Sequence, residues 1–251
     1  MRVVYGVNPV KELLRAGGEG LAELWLAEGA RSGAIADLEA QARAAGAKVK
    51  HAPRQKLDRL AGADRHQGVV AVVSADFRYA EVEELLAAAK ARNEPPLLVI
   101  LDGVEDPQHL GAIARSAVAM GAHGVIIPRD RAVGVTPTVV KASAGVIERC
   151  PVARVVNISR IIDELKEQGV WSVALAADGE QELAALDLAG PTALVLGSEG
   201  EGIRQLVRKT CDHGARIGMA SGVESLSVSA AASVALYEAA RQRRGRGPKR
   251  P

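Results

Sequence analysis

Aromatic residues are scarce in this chain of 251 residues, where Phe, Trp and Tyr together account for 2% of the composition. A hydrophobic core must therefore be packed mainly by Ala, Val and Leu. Extensive stacking of side chains on nucleic-acid bases is not expected, because that kind of recognition depends on aromatic rings. The hydrophobic fraction of 48% is nevertheless ample for one large or two small domains.

Cysteines are few, and long apolar runs are lacking. The two cysteines, Cys150 and Cys211, have no ligand-type spacing, and the five histidines are scattered. We therefore expect free thiols, and neither a disulfide nor a metal site. No apolar stretch of the sequence approaches the roughly 20 residues that cross a bilayer. The opening residues lack the apolar core of a signal peptide, and we expect a soluble cytoplasmic protein.

The net charge of +2 conceals a difference between the body of the chain and its end. Residues 241–251 contain six Lys and Arg and no acidic residue. The chain has 32 Lys and Arg; without these six, 26 remain against 30 Asp and Glu, so the body of the chain is mildly acidic. A basic segment broken by Gly and Pro is typically disordered, and we predict a disordered tail over 242–251. Such a tail either contacts RNA phosphates or keeps the protein in solution.

The pattern of strands and helices divides the chain near a Pro-Pro pair. Residues 1–75 alternate short strands with helices and predict a small α/β domain. Residues 76–96 are interpreted as a linker that contains a charged helix and ends at Pro95-Pro96, where a helix cannot continue. Residues 97–241 alternate buried strands with helices, which predicts an α/β domain with a mostly parallel sheet. The last helix is predicted to end at Arg241.

Three loops rich in Gly, Ser, Asp and Glu lie in the second domain, within residues 102–115, 194–202 and 224–230. The first two join a strand to a helix, and the third leads into the last helix, so backbone groups can approach a ligand closely. The loop Gly197–Gly202 has its glycines in the wrong order for a dinucleotide-binding fold, and no phosphate-binding P-loop pattern is present. The loops predict one composite ligand site of another type.

These loops resemble the motifs of a known enzyme family, the SpoU/TrmH branch of the SPOUT methyltransferases. Residues 106–117 (DPQHLGAIARSA) resemble its motif 1, and residues 194–203 (LVLGSEGEGI) resemble motif 2. The stretch from 225–231 (SLSVSAA) through Tyr237-Glu238 resembles motif 3. Residues 5–15 (YGVNPVKELLR) resemble the start of the ribosomal-L30-like RNA-binding domain that is fused to this branch. The resemblance covers nearly the whole chain apart from the basic tail.

The resemblance implies a fold, a cofactor and an assembly. The fold would be an L30-like domain followed by a trefoil-knotted α/β domain, although chains generally avoid threading loops. The assembly would be a homodimer with the site near the subunit interface. The cofactor would be S-adenosylmethionine, held largely by backbone groups of motifs 2 and 3. Carried over by position, the residues implied to bind it are Gly197, Ile217, Met219, Leu226 and Val228.

The same motifs imply four catalytic candidates, Arg115, Glu199, His109 and Ser227. A guanidinium is a very weak base, so we interpret Arg115 as a clamp for an RNA phosphate that also stabilises a developing alkoxide. Glu199 would hold Arg115 or the substrate hydroxyl. The family usually has Asn at both His109 and Ser227. These two departures either compensate for one another in size or mark an altered activity, and His109 adds a base that titrates near neutral pH.

The expected activity is transfer of a methyl group to a ribose 2′-oxygen of RNA, most closely matching a guanosine of 23S rRNA. RNA contacts are expected in the first domain, through phosphates and shape. The candidates are Asn8, Lys11, Arg15, Arg54 and Arg65, with Lys56 and His66 as further ones. Two alternatives remain at this point. One is a tRNA or resistance-type rRNA methyltransferase, and the other is a non-catalytic RNA-binding or ribosome-assembly protein that kept the fold.

Overall fold

The computed structural model describes residues 1–30, 32–220 and 225–246, and it contains alternating strands and helices. The strands are β1 (Arg2–Tyr5), β2 (Leu21–Ala27), β3 (Lys48–Ala52), β4 (Val69–Val73), β5 (Leu97–Asp102), β6 (Gly124–Pro128), β7 (Val152–Val155), β8 (Trp171–Leu175), β9 (Gln181–Glu182), β10 (Thr192–Gly197) and β11 (His213–Arg216). The helices are α1 (Val7–Arg15), α2 (Gly33–Ala44), α3 (Arg54–Ala61), α4 (Val82–Ala91), α5 (Pro107–Ala119), α6 (Pro137–Ala142), α7 (Ile158–Glu167), α8 (Gln205–Thr210) and α9 (Val228–Arg246), with 3₁₀ turns at Val146–Arg149 and Leu183–Ala185.

The first of two compact units comprises Met1–Arg78 and Val135–Arg149. Its four strands form a sheet in the order β1-β4-β2-β3, in which β4 pairs antiparallel with β1 and β2. The continuous apolar run Val69–Val73 is buried along its whole length, as expected for a central strand. The predicted α/β architecture of the N-terminal part is therefore confirmed.

The segment Val135–Arg149 lies in the second domain by sequence order but packs within the first unit. Its helix α6 packs on β1, and its 3₁₀ turn packs on α1. Two ion pairs fasten it, with Arg2 Nη1 2.5 Å from Glu148 Oε1 and Arg149 Nε 2.5 Å from Glu12 Oε2. The sequence pattern gave no indication of this placement, because it depends on partners more than 130 residues away.

The second unit comprises Tyr79–Gly134 and the chain from Cys150 onward, and its seven strands lie in the order β7-β6-β5-β10-β8-β11-β9. Every neighbouring pair is parallel. The inner strand β5 is buried throughout, and the central strand β10 is buried except at its last residue. Both read as continuous apolar runs because helices cover both faces of a parallel sheet. The predicted α/β fold with a mostly parallel sheet is confirmed.

The stretch interpreted as a linker is part of this second unit from Tyr79 onward. Helix α4 begins with a capping box between Glu81 and Glu84, which satisfies its first backbone N–H groups. Its Leu85 is fully buried, and a Cβ added at Gly124 would lie 2.3 Å from Leu85 Cγ. The charged residues that suggested a connecting segment occupy the exposed side of a helix that packs on the core.

Two further differences concern a strand that was not predicted and the end of the last helix. Strand β7 was not predicted, because it is short, lies at the edge of the sheet and carries Arg154. The last helix continues to Arg246, so the prediction of a disordered tail is wrong for residues 242–246; residues 247–251 lie outside the described residues. The extension is held by Arg243, which donates to the carbonyl oxygens of Pro95, Pro96, Leu188 and Gly190.

The interactions of Arg243 predict a measurable contribution to stability. Burial lowers the pKa of its guanidinium to about 10, yet four carbonyl oxygens compensate the buried donor groups. We expect Arg243→Ala to reduce the free energy of unfolding by about 2 to 4 kcal/mol, since several charge-assisted hydrogen bonds are lost together. Arg244→Ala is the matched control, because among the described residues its side chain bonds only a carbonyl of its own helix. Urea unfolding of both variants checks this, and equal losses would contradict it.

Three further properties of the described residues concern the cysteines, metal binding and membrane crossing. Both cysteines are free thiols, and burial raises the pKa of each to about 12. Within residues 1–30, 32–220 and 225–246, no cluster of three or more His, Cys, Asp or Glu has the arrangement of a metal site. No helix in the same ranges combines the length and apolar content needed to cross a membrane.

Candidate active site

The carboxyl edge of the seven-stranded sheet carries two adjoining cavities. The larger has a volume of about 770 Å³ and lies beyond the ends of β8, β10 and β11. The smaller, of about 360 Å³, lies beyond β5, β6 and β10. Residues of the loop after β10, including Ser198 and Glu199, line both of them. Ligands of parallel sheets bind outside the carboxyl ends of the strands, so this edge is the candidate site.

All five residues expected to bind the cofactor line the larger cavity. Gly197 ends β10, Ile217 and Met219 follow β11, Leu226 precedes α9, and Val228 is its first residue. The arrangement brings together residues that are far apart in the sequence, because three parallel strands end side by side.

The opposite wall of the larger cavity was not anticipated from the sequence. It is formed by Leu175, Ala176, Ala177 and Asp178, which follow β8. The predicted strand over 171–176 contained the necessary signal, since its carboxyl end must lie at the same edge of a parallel sheet. Arg208 donates a hydrogen bond of 2.9 Å to Asp178 and thereby lowers the pKa of that carboxyl group, so the carboxylate stays ionised as an ion pair with Arg208 at the cavity wall.

The loop after β10 is shaped by a close backbone approach. A Cβ added at Gly197 would lie 1.9 Å from the carbonyl carbon of Gly202 and 2.1 Å from Ile203 N. The loop is further closed by paired hydrogen bonds between Ser198 and Gly202. Glycine is therefore required at position 197 by steric contact, in addition to any role in ligand binding.

A buried carboxylate anchors the far end of this loop. Asp102, at the end of β5, accepts hydrogen bonds of 2.8 Å from the backbone N and from Nε of Arg204. This interaction raises the pKa of Arg204 and holds the segment that leads into α8. Neither residue was singled out from the sequence, although Asp102 opens the first of the three loops.

The catalytic candidates His109, Glu199 and Ser227 lie together. His109 Nε2 is 3.0 Å from Glu199 Oε1, and its Nδ1 is 3.3 Å from Ser229 Oγ. Ser229 Oγ is in turn 3.3 Å from Ser227 Oγ. Ser227 caps α9 by accepting the N–H of Ala230, and Glu199 accepts the N–H of Val228. His109 and Ser227 are thus connected through Ser229, a residue that the sequence analysis did not name.

Arg115 lies apart from these residues within its own chain. Its side chain is exposed on α5, lines neither of the two cavities, and forms no hydrogen bond or ion pair with other described residues. Of the two partners expected for Glu199, Arg115 or the substrate hydroxyl, Arg115 is not in contact with it within one chain, since Glu199 pairs with His109 instead. The reason is helical geometry: Arg115 lies six positions after His109, which places the two on different faces of a helix with 3.6 residues per turn.

The RNA-binding candidates Asn8, Lys11, Arg15, Arg54 and Arg65 are all exposed in the first unit. Some are already engaged, since Arg15 pairs with Glu12 and Arg54 donates to the carbonyl of Asp64. His66 is wrong as a candidate, because its side chain is fully buried and lies 2.8 Å from Asp58. Lys56 lies over the Trp25 ring at 4.2 Å.

Comparison with known families matches two models to this chain. The SpoU rRNA methylase family matches residues 96–237. The chain belongs to the SpoU rRNA methylase family. A second model, described as RNA 2′-O ribose methyltransferase substrate binding, matches residues 3–80. The two matches follow the order of the two sequence-predicted domains.

Related SpoU-family proteins cover almost the whole chain. A TrmH family protein of Bacillus subtilis, YacO, is 45% identical over 240 residues, which are 96% of this chain and 95% of the relative. The 23S rRNA (guanosine-2′-O-)-methyltransferase RlmB of Ralstonia nicotianae is 43% identical over 242 residues, 96% of both chains. Among solved structures, the SpoU methyltransferase AviRb of Streptomyces viridochromogenes in complex with AdoMet has a TM-score of 0.81 at 27% identity, covering 97% of this chain and 90% of that one.

Proposed function

We propose that this protein transfers a methyl group from S-adenosylmethionine to the 2′-oxygen of a ribose in RNA, and that its substrate is a guanosine of 23S rRNA. The observation that carries the proposal is the pair of adjoining cavities joined by the Glu199 loop, in a chain of the SpoU family. One cavity would hold the methyl donor and the other the acceptor nucleoside. The RlmB relatives support the choice of substrate.

The larger cavity fits the proposed donor in size and chemistry. Its volume of about 770 Å³ lies in the range of small-molecule sites. The apolar side chains of Leu175, Ile217 and Leu226 suit the adenine ring and the alkyl chain of the donor. The carboxylates of Asp178 and Glu199 suit its positive charges. When bound, S-adenosylmethionine supplies a methyl group on a sulfonium, a leaving group that requires no acid.

The protein must orient the ribose hydroxyl and assist the loss of its proton. We propose that Arg115 binds an RNA phosphate and stabilises negative charge that develops on the 2′-oxygen. Glu199 positions His109 and the start of α9, as its ion pair with His109 and its hydrogen bond from Val228 N indicate. Ser227 lines the donor cavity and lies where α9 begins, next to the proposed point of transfer.

The placement of Arg115 supports a homodimer. Arg115 is exposed on α5, and the adjoining helix α9 exposes the apolar residues Val234 and Tyr237, three positions apart on one face. Helices α5 and α9 pack against each other, with Ser116 Oγ 2.8 Å from Ser233 Oγ. We propose that a second copy covers this face and that Arg115 of one subunit completes the site of the other.

We further propose a knotted second domain and a cytoplasmic location. The trefoil knot is proposed from membership of the SpoU family; β10 lies between β5 and β8, but this strand order alone does not thread the chain. A cytoplasmic location follows from the proposed ribosomal substrate.

The function is tested by incubating the protein with labelled S-adenosylmethionine and either 23S rRNA or tRNA. We expect a single 2′-O-methylguanosine in 23S rRNA, and the same position should lose its methyl group in cells without the gene. Methylation of tRNA instead would support the alternative substrate. RNA binding with neither donor binding nor transfer would support a non-catalytic protein and overturn the proposal.

The exposed basic residues of the first unit predict salt-sensitive RNA binding. Each cation that contacts a phosphate releases a counterion, so Lys11→Ala and Arg65→Ala should each weaken binding and reduce the slope of log K against log salt by about 1. Arg43→Ala is the control, because Arg43 is exposed on α2 but paired with Glu39. Filter binding over a range of salt concentrations measures the slopes. Unchanged slopes in both variants would exclude these residues as phosphate contacts.

A further inference from the structure

The two positions at which this sequence departs from the motifs it resembles lie on one chain of hydrogen bonds. His109 is 3.3 Å from Ser229, and Ser229 is 3.3 Å from Ser227. On its other side, the His109 ring is 3.0 Å from Glu199. Ser227 lines the larger cavity and His109 the smaller, so the chain connects the donor cavity with the acceptor cavity.

The polarity of this chain follows from Glu199. Glu199 Oε1 lies at ion-pair distance, 3.0 Å, from His109 Nε2, and a lone pair on Nε2 would face this carboxylate, so the neutral ring favours the proton on Nε2 and leaves Nδ1 as an acceptor. Ser229 must then donate to Nδ1, which leaves its oxygen to accept from Ser227. The Ser227 oxygen accepts the N–H of Ala230 and retains a second lone pair. Each hydroxyl is therefore arranged to pass a proton toward His109.

Charged groups reach His109 from several elements. On its own helix, Asp106 Oδ2 lies 3.8 Å from Nε2, and from the loop after β10 Glu199 lies at 3.0 Å. Helix α9 contributes the hydroxyl of Ser229. The smaller cavity is also lined by charged residues of the surrounding loops, namely Asp102, Glu105, Asp130, Arg131, Glu201 and Arg204. An imidazolium formed at His109 would lie beside two carboxylates that offset its charge.

On the basis of the proposed function, we propose that His109 is the general base of the methyl transfer and acts through Ser229 and Ser227. The proton of the 2′-hydroxyl passes to Ser227, the proton of Ser227 to Ser229, and that of Ser229 to His109 Nδ1. The 2′-oxygen forms its bond to the methyl carbon as the carbon–sulfur bond breaks, and the electron pair of that bond stays on sulfur. The imidazolium then gives its proton to water, since the His109 side chain is 21% exposed.

Asparagine at either position would interrupt this transfer, because an amide does not take up a proton near neutral pH. Proton transfer therefore explains why His109 and Ser227 occur together. If the two residues only compensated for each other in size, they would not need the hydrogen-bonded link through Ser229.

A first test needs neither RNA nor methyl donor. Nitrogen-15 NMR of the histidine rings reports which nitrogen carries the proton, and His109→Asn assigns the signal among the five histidines. We expect the neutral His109 ring to be protonated at Nε2, and Glu199→Gln to shift the population toward the other tautomer. A ring protonated at Nδ1 in the parent protein would overturn the proposal.

A second test follows single-turnover methyl transfer at saturating RNA and donor as a function of pH. The neutral ring is the active form, so the rate of the parent should rise with pH as the base loses its proton and then level off. His109→Asn should remove this inflection and lower the rate about 10²-fold or more at neutral pH. Ser229→Ala should do the same, and the double variant should lose no more than either single one, since both changes break one chain.

His213→Asn is the matched control, because His213 lies in β11 beside Trp171 and lines neither cavity. It should retain the parent profile. If the parent transfers methyl groups and His109→Asn keeps the same profile, the relay is refuted while the proposed function stands. If the parent transfers none to 23S rRNA or tRNA, the proposed function and the relay fall together.

Discussion

Replacing Arg115 with alanine is expected to abolish methyl transfer while the protein still folds and binds S-adenosylmethionine. Without the guanidinium, the RNA phosphate is no longer bound and the developing alkoxide is no longer stabilised. We expect these losses to lower the rate at least about 10²- to 10³-fold. Donor binding should be unaffected, because Arg115 does not line the larger cavity of its own chain. Single-turnover kinetics and calorimetry measure the two quantities separately. Arg160→Ala is the control, since Arg160 is exposed on α7 and pairs with Glu164.

A mixture of two inactive variants tests whether Arg115 serves the partner subunit. Arg115→Ala subunits keep an intact donor cavity, and Gly197→Ala subunits keep the arginine. In a mixed dimer, one site would receive the cavity of the first subunit and the arginine of the second, so partial activity should return on mixing. A mixture that stays inactive, although mixed dimers form, would show that Arg115 does not act across the interface. Full activity of Arg115→Ala alone would refute its role altogether.

Gly197→Ala is expected to destroy the donor site. An added Cβ would lie 1.9 Å from the backbone of Gly202, so the loop after β10 must move and the pairing of Ser198 with Gly202 must break. We expect the Kd for S-adenosylmethionine to rise at least about 100-fold, a loss of about 2.7 kcal/mol. The melting temperature should also fall, because the displaced loop is anchored to the core through Asp102 and Arg204.

Gly190→Ala provides the matched control for this change. A Cβ at Gly190 meets no atom within 4 Å, and its backbone does not have a positive φ. Donor affinity measured by calorimetry and stability measured by thermal unfolding should therefore stay close to those of the parent. Equal affinities in the two variants would contradict the steric requirement at position 197.

Local sequence patterns were sufficient for the strands that lie deep in the sheet. Leu97–Asp102 and Thr192–Gly197 are continuous apolar runs, and such runs are recognisable because both faces of a parallel strand are covered. The same patterns failed for Val152–Val155, an edge strand with a charged residue, and for the end of α9. At the end of α9 the basic composition suggested disorder. The helix continues there because Arg243 binds carbonyl groups more than 50 residues away in the sequence.

The chain of amino acids alone was enough to indicate the parallel α/β fold and the loops at its ligand edge, because each depends on short patterns of hydrophobic and small residues. The resemblance to the SpoU/TrmH motifs supplied five residues that line the larger cavity, whereas its wall after β8 was not anticipated. Tertiary structure decided which side chains meet. It joined His109 to Ser229, 120 residues later, and it paired Glu199 with His109 while Arg115 lay on another face of the same helix. It also placed Val135–Arg149 within the first unit. Such contacts depend on how distant elements pack and on the rotation of each helix about its axis, and neither is encoded in the neighbouring sequence.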